Sequence, residues 1–288
     1  NKLIQSDLTN AEGTDATYVT SFNSDGWSIG TNTDINGSGG TSVGWSWLGA
    51  NGTSSNTDGS ITSTVSANTT AGFSIVKWYG TGANATIGHG LGVAPSVVIT
   101  KNLDASANWI YGGDNIGWTK YLILNLNNAE ATANNAWNDT APNSTVVSLG
   151  SSTVTNASAN MIAYCFAEKT GYSKFGSYAS NNSTDGPFVY TGFKPNWIMI
   201  KSIGSGGYNW DIFDSVRQPN NLNGVTLQAD TSGAEFDYAP NGYVDLLSNG
   251  FKLRSTSNAV NGSGASSYLY MAFGQSLVGS NNIACTAR

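Results

Sequence analysis

The chain has one histidine, His89, in the stretch IGHGLG, and imidazole is the side chain best suited to move protons near neutral pH. A lone imidazole specifies neither a Ser-His-Asp nor a Cys-His arrangement. Its glycine neighbours mark a tight turn, so His89 is expected to be structural or at the surface. Three glutamates recur in one setting: Glu12 after KLIQSDLTNA, Glu130 after KYLILNLNNA and Glu235 after VTLQADTSGA. Glycoside hydrolysis needs two carboxyl groups converging across a groove, whereas a carboxylate repeated behind the same apolar stretch belongs to the scaffold. Asn32-Thr33-Asp34 and the pair Asp211 and Asp214 offer oxygen ligands, but without the dense carboxylate spacing of a calcium loop. The glycines of Gly80–Gly92 precede no helix that would receive a phosphate. Cys165, in MIAYCFAE, reads as a small buried hydrophobe, and Cys285 lies in NNIACTAR. A disulfide between them is left open. The expectation is a chain with no catalytic residues, no cofactor and no metal.

Aromatic side chains are the remaining carriers of chemistry. Those that do not recur along the chain, Trp78, Tyr79, Trp118 and Trp137, are the candidate ligand- or partner-binding residues. Their rings could stack on sugar faces or bury in a protein contact.

The elements that must position these residues repeat. Gly250–Phe273, GFKLRSTSNAVNGSGASSYLYMAF, has two relatives: Gly26–Trp47, GWSIGTNTDINGSGGTSVGWSW, and a weaker copy at Leu149–Phe166. Each has apolar alternation on both sides of a Gly/Ser/Asn turn and reads as a β-hairpin. Between copies, GVAPSVVITK and GFKPNWIMIK share a Pro before a buried-looking strand that ends in Lys, Val97–Lys101 and Trp197–Lys201. An aromatic strand follows each, Trp109–Tyr111 and Trp210–Phe213. The spacing of Pro95 from Pro195 and of Glu130 from Glu235 gives a period of about 100 residues.

The expected fold is therefore all-β, with tandem antiparallel β-sandwich or barrel-like units. Three segments follow: 1–72, a partial first repeat ending in the polar stretch 51–72, a linker or an extended surface segment; 73–170, a complete repeat; and 171–288, a complete repeat with a C-terminal tail. Recurring positions, Phe73/Phe175, Pro95/Pro195, Trp109/Trp210 and Trp47/Phe166/Phe273, are expected to form each unit's core. A short helix within Asn127–Asn138 is the only helix expected. Because the chain opens in mid-unit, an opening half is expected upstream of Asn1, or an open edge at Asn1–Gly49 is expected to be completed by a neighbouring subunit.

Composition agrees with this reading. Charged residues make up only 10% of the chain, against 39% hydrophobic, and 35 Gly serve the turns. Nine Trp, ten Phe and 13 Tyr give more apolar area than a disordered chain carries. The net charge is −6 and the 12 Lys and Arg stand singly, so nothing forms the basic stripe that binds nucleic acid. No apolar run reaches the ~20 residues that cross a bilayer as a helix.

The ordered set GLGVAPSVVITK, WNDTAP at Trp137–Pro142, IAYCFAEKTGYSKFGSY at Ile162–Tyr178, DGPFVYTGFKPNWIMIK at Asp185–Lys201, SNGFKLR at Ser248–Arg254 and the terminal TAR resembles a β-rich repeat domain of structural proteins of marine tailed bacteriophages. The resemblance covers nearly the entire chain and implies an extracellular place on a virion surface, as a non-enzymatic tail-fibre or adhesin-like array that contacts the host. The partners it implies are further copies of the chain, a trimer foremost, other virion proteins, and a host surface glycan or protein. The alternative is a self-assembling capsid-decoration or filament subunit, completed by strands or aromatic contacts from its neighbours.

Overall fold

The computed structural model describes residues 1–238 and 242–275. Cys285 and the terminal TAR lie outside these residues, and with them the question of a disulfide.

Two small hairpins open the chain, β1 (Lys2–Leu3) with β2 (Gly13–Thr14) and β3 (Val19–Asn23) with β4 (Gly26–Ile29), and a helical turn α1 (Thr33–Asn36) follows. Next come β5 (Ser54–Asn56), β6 (Ser63–Asn68), β7 (Phe73–Tyr79), β8 (Ala85–Gly88), β9 (Val97–Asn102), β10 (Ile110–Gly113), β11 (Lys120–Ile123) and β12 (Ala131–Thr132). Then follow α2 (Asn134–Trp137), β13 (Val146–Leu149), α3 (Thr153–Asn156) and β14 (Asn160–Phe166). The second half holds β15 (Ser173–Ala179), β16 (Phe188–Tyr190), β17 (Lys194–Ser202), β18 (Asp211–Asp214), β19 (Val225–Gln228), β20 (Phe236–Asp237), β21 (Val244–Leu247), β22 (Gly250–Leu253) and β23 (Ser267–Gln275). The fold is all-β, as expected, and its strand ladders are antiparallel.

Two large sheets dominate. The first runs β12-β11-β10-β9-β14-β7-β6-β5, and the second runs β20-β19-β18-β17-β23-β15. The six strands of the second follow one another in the same spatial order as the first six of the first.

Alternation then decides where each side chain goes. In β9, Val97 and Ile99 face one core and Val98 the opposite one; in β17, Trp197 and Met199 face one core and Ile198 and Ile200 the other. The inner faces of both large sheets meet in a single shared core. The outer face of the first sheet is covered by β8 and β13 with α2 and α3, and that of the second by β16, β22 and β21. The result is a four-layer stack with three cores.

This arrangement corrects three expectations. Phe73, Phe175, Trp109, Trp210, Phe166 and Phe273 do not build a separate core within each unit; they fill the core between the two sheets. Residues 51–72 are not a linker, because β5 and β6 extend the first sheet beyond β7, with Ser63 and Val65 turned inward. The three supposed hairpins are not hairpins. β13 pairs with β8 while β14 lies in the first sheet; β22 pairs with β16 and β21 while β23 lies in the second; and β4 pairs back onto β3, leaving 41–47 without a ladder. The Gly/Ser/Asn turn between the arms carries the chain from one layer to the next, across the ~10 Å that separates packed sheets. Buried Asn156 and Asn261 fix two of these crossings. Asn156 accepts from Trp78 Nε1 at 3.2 Å and donates to the Ala83 carbonyl at 2.7 Å; Asn261 accepts from Asn181 N at 3.0 Å and donates to the Ser183 carbonyl at 2.8 Å.

Candidate functional site

Of the candidate partner-binding aromatics, Trp78, Trp118 and Trp137 are buried in the core beneath β8 and β13. Trp118 donates to Asp114 at 2.7 Å and packs edge-on against Trp137 at 5.5 Å, so neither ring face is open to a sugar. Tyr79 is 61% exposed, and its hydroxyl donates to the Ser158 carbonyl at 3.2 Å. Sequence reasoning passed over Phe188 and Tyr190, two exposed rings on the outer strand β16, whose F-V-Y alternation was the available signal.

His89 is buried and neutral. Leu91 N donates to its Nδ1 at 3.2 Å, so Nε2 carries the proton and donates to the Asn143 carbonyl at 3.1 Å. Burial pushes its pKa down. Gly90 and Gly92, both near φ +70°, make the turn around it. The carboxylates considered as ligands are engaged internally. Asp34 accepts from Tyr18, Asp214 pairs with Arg217, and Asp211 accepts from Gln228 at 2.9 Å. Among the described residues no group of three His, Cys, Asp or Glu side chains could hold a metal ion. Cys165 is buried, and its thiol is pushed up to about 12.

The chemistry that does repeat is a joint between segments. The hairpin of β1 and β2 lies against the loop after β9, and the hairpin of β11 and β12 lies against the loop after β17, with the same atoms in contact. Lys101 Nζ donates to the Thr9 carbonyl at 3.0 Å, and Lys201 Nζ to that of Asn127 at 3.4 Å. Trp109 Nε1 donates to the Gln5 carbonyl at 2.9 Å, and Trp210 Nε1 to those of Ile123 and Leu126 at 3.1 and 3.2 Å. Glu12 N reaches the Leu103 carbonyl at 2.9 Å, and Glu130 N the Ile203 carbonyl at 3.0 Å. Lys2 pairs with Glu12 and Lys120 with Glu130 across each hairpin. The lysines, tryptophans and scaffold glutamates of this joint recur visibly in the sequence, but the sequence does not show that Trp and Lys of one segment cap the carbonyls of the preceding one.

Both lysines are fully buried, and burial lowers the pKa of each, Lys201 to about 8. Beside Lys201 lies Asp211, whose carboxyl burial raises to about 7 and whose Oδ2 has no hydrogen-bond partner.

A third hairpin of this kind, β19 with β20, keeps the register: Val225 pairs with Asp237 as Lys120 pairs with Thr132. Its inner links are also the same. Trp109 N donates to Asn125 Oδ1 at 2.8 Å, and Trp210 N to Asp230 Oδ1 at 3.0 Å. Against its outer side lies an apolar cleft of about 580 Å³, lined by Leu227–Ala229 and Thr231–Gly233 on one side and by Trp45, Trp47, Ile75 and Trp109 on the other. At its floor three rings meet: Trp47 with Phe273 at 5.4 Å, Trp47 with Phe166 at 6.5 Å, and Phe166 with Phe273 at 5.8 Å.

Stacked antiparallel sheets and a repeated intrachain Trp–Lys contact define a β-rich module. Residues 1–276 match the family described as domain of unknown function DUF7483, and the chain belongs to that family. No curated protein and no solved structure matches it.

Proposed function

We propose that the chain is a non-enzymatic structural and binding module, a tandem β-repeat array of tail-fibre or adhesin type on a virion surface, contacting a host. The observation that carries this reading is the joint made twice with the same atoms, Lys101 and Trp109 on the first hairpin and Lys201 and Trp210 on the second. A contact rebuilt from unit to unit suits an elongating array better than a single catalytic site does. The buried, neutral His89, with both ring nitrogens engaged, supports the non-enzymatic part. The virion location rests on the resemblance of the sequence motifs.

Host contact then falls to exposed rings, Tyr79, Phe188 and Tyr190, acting weakly and through avidity. Light scattering across concentrations is the test of assembly. A species near three times the 30.0 kDa chain, roughly 90 kDa, is expected. Retention on host-surface polysaccharide, weakened at least fivefold by Phe188→Ser with Tyr190→Ser, is the test of binding. A monomer at all concentrations that is not retained would sink the proposal, and so would the appearance of shortened oligosaccharides.

The second reading, a capsid-decoration or filament subunit completed by its neighbours, is favoured by one observation: residues 41–47 alternate as a strand but have no ladder partner. A polymer in place of a discrete mass would select it.

A further inference from the structure

The shared core has three corresponding central segments, two of which are strands within complete sheets. β14 is flanked by β7 and β9, and β23 by β15 and β17. The third, residues 41–47, ends in Trp47 as the others end in Phe166 and Phe273, and these three rings meet. Yet it joins no ladder among the described residues, although the β3–β4 hairpin packs on it through Trp27 at Gly44. The docking hairpins are likewise three, and only two are capped. On the hairpin of β19 and β20, the counterparts of the capped carbonyls belong to Gln228, Thr231 and Ser232, and no indole or ammonium group among the described residues reaches them. Ala234 and Glu235 stand exposed, whereas Ala11, Glu12, Ala129 and Glu130 are half-buried. The unladdered segment and the uncapped hairpin border the same cleft.

We propose that this cleft is a docking site for a strand–turn–strand segment of the pattern seen in Lys194–Asp214, supplied by a partner protein. Its first strand adds to residues 41–47, its lysine amine sits on the Ser232 carbonyl, and its tryptophan N–H sits on the carbonyls of Gln228 and Thr231. Strand addition supplies ladder bonds along 41–47, and the indole fills apolar space. The occupant must carry Pro, Lys and Trp in the order and spacing of Pro195, Lys201 and Trp210, or of Pro95, Lys101 and Trp109. A second copy of this chain does not meet that need, since both of its Lys–Trp sets are already bound to its own hairpins. The proposal does not depend on a virion location.

The probe is a synthetic peptide of residues 192–214 carrying a short charged tag for solubility, titrated into the full chain. Saturable binding of one peptide per chain is expected, with amide exchange at 42–48 slowed at least tenfold. Trp210→Ala or Lys201→Ala within the peptide weakens binding at least tenfold. Thr231→Arg in the chain, at a half-exposed position in the cleft wall, abolishes binding without shifting the melting temperature. Two outcomes overturn the proposal on the peptide side: no protection of 42–48 at saturating soluble peptide, and binding indifferent to the peptide tryptophan. A third lies in the free chain: a stable dimer with 42–48 already protected would show that a second copy holds the cleft.

Discussion

At the scale of single residues, the buried ionisable groups behind the second joint set a pH profile. Asp211 holds its proton up to about pH 7 in the folded chain, against an ordinary value of 3.8. Between these values the folded state binds the extra proton, so this group makes stability fall as pH rises. Lys201 acts oppositely: with its pKa lowered to about 8 from 10.5, the unfolded state binds the extra proton, and stability rises from pH 8 toward 10.5. Taken alone, these two groups make stability fall toward pH 7 and rise again above pH 8. Asp211→Asn should remove most of the decline between pH 4 and 7, on the order of 2–4 kcal/mol at pH 8 relative to pH 4. Denaturant midpoints measured at several pH values check this; an unchanged slope in the variant refutes it. Trp210, fully buried and donating to two carbonyls, is the residue whose truncation to Ala should be most damaging, by about 3–5 kcal/mol.

At the scale of elements, the crossings between layers are the fragile parts. Asn156 satisfies Trp78 Nε1, Thr81 N and the Ala83 carbonyl from a fully buried position. Asn156→Leu strands those groups and should destabilise by about 2–4 kcal/mol, whereas Asn36→Leu, on the exposed first copy of the turn, should change stability by less than about 0.5 kcal/mol. Equal losses at the two positions would contradict the structural account. These same turns explain what was and was not legible beforehand. The apolar runs Val97–Lys101 and Trp197–Lys201, with a Pro ahead of each, were enough to place β9 and β17, and alternation in the other short strands to assign the class. The same alternation cannot say which sheet a strand joins, because a hairpin turn and an interlayer crossing use the same Gly, Ser and Asn. So Leu149–Phe166 and Gly250–Phe273 were recognised as related but given the wrong partner strands. The candidate site was less legible still: Trp78, Trp118 and Trp137 do not recur along the chain, yet they are core residues beneath β8 and β13. The joint's acceptors are main-chain carbonyls and leave no mark in the sequence.

At the scale of the whole molecule, a core built from both large sheets ties their stability together. Phe73, Val97 and Trp109 from the first sheet pack with Phe175, Trp197 and Phe273 from the second. Residues 1–238 and 242–275 should therefore melt in one calorimetric transition. Phe273→Ala, which opens the ring cluster around Trp47 and Phe166, should lower that single transition by several degrees. Two separable peaks, or a shift confined to one of them, would mean that the sheets fold independently.

The asymmetry of the joint also bears on how such chains can diverge. Its donors are particular side chains, an indole and a buried ammonium, but its acceptors are peptide carbonyls of residues as unlike as Gln5 and Ile123, or Thr9 and Asn127. Substitution is therefore nearly free at the positions whose carbonyls receive and tightly held at the side chains that reach. Relatives related through this contact should drift apart at the receiving positions while keeping Trp and Lys, so that the contact itself is best traced from the donor side.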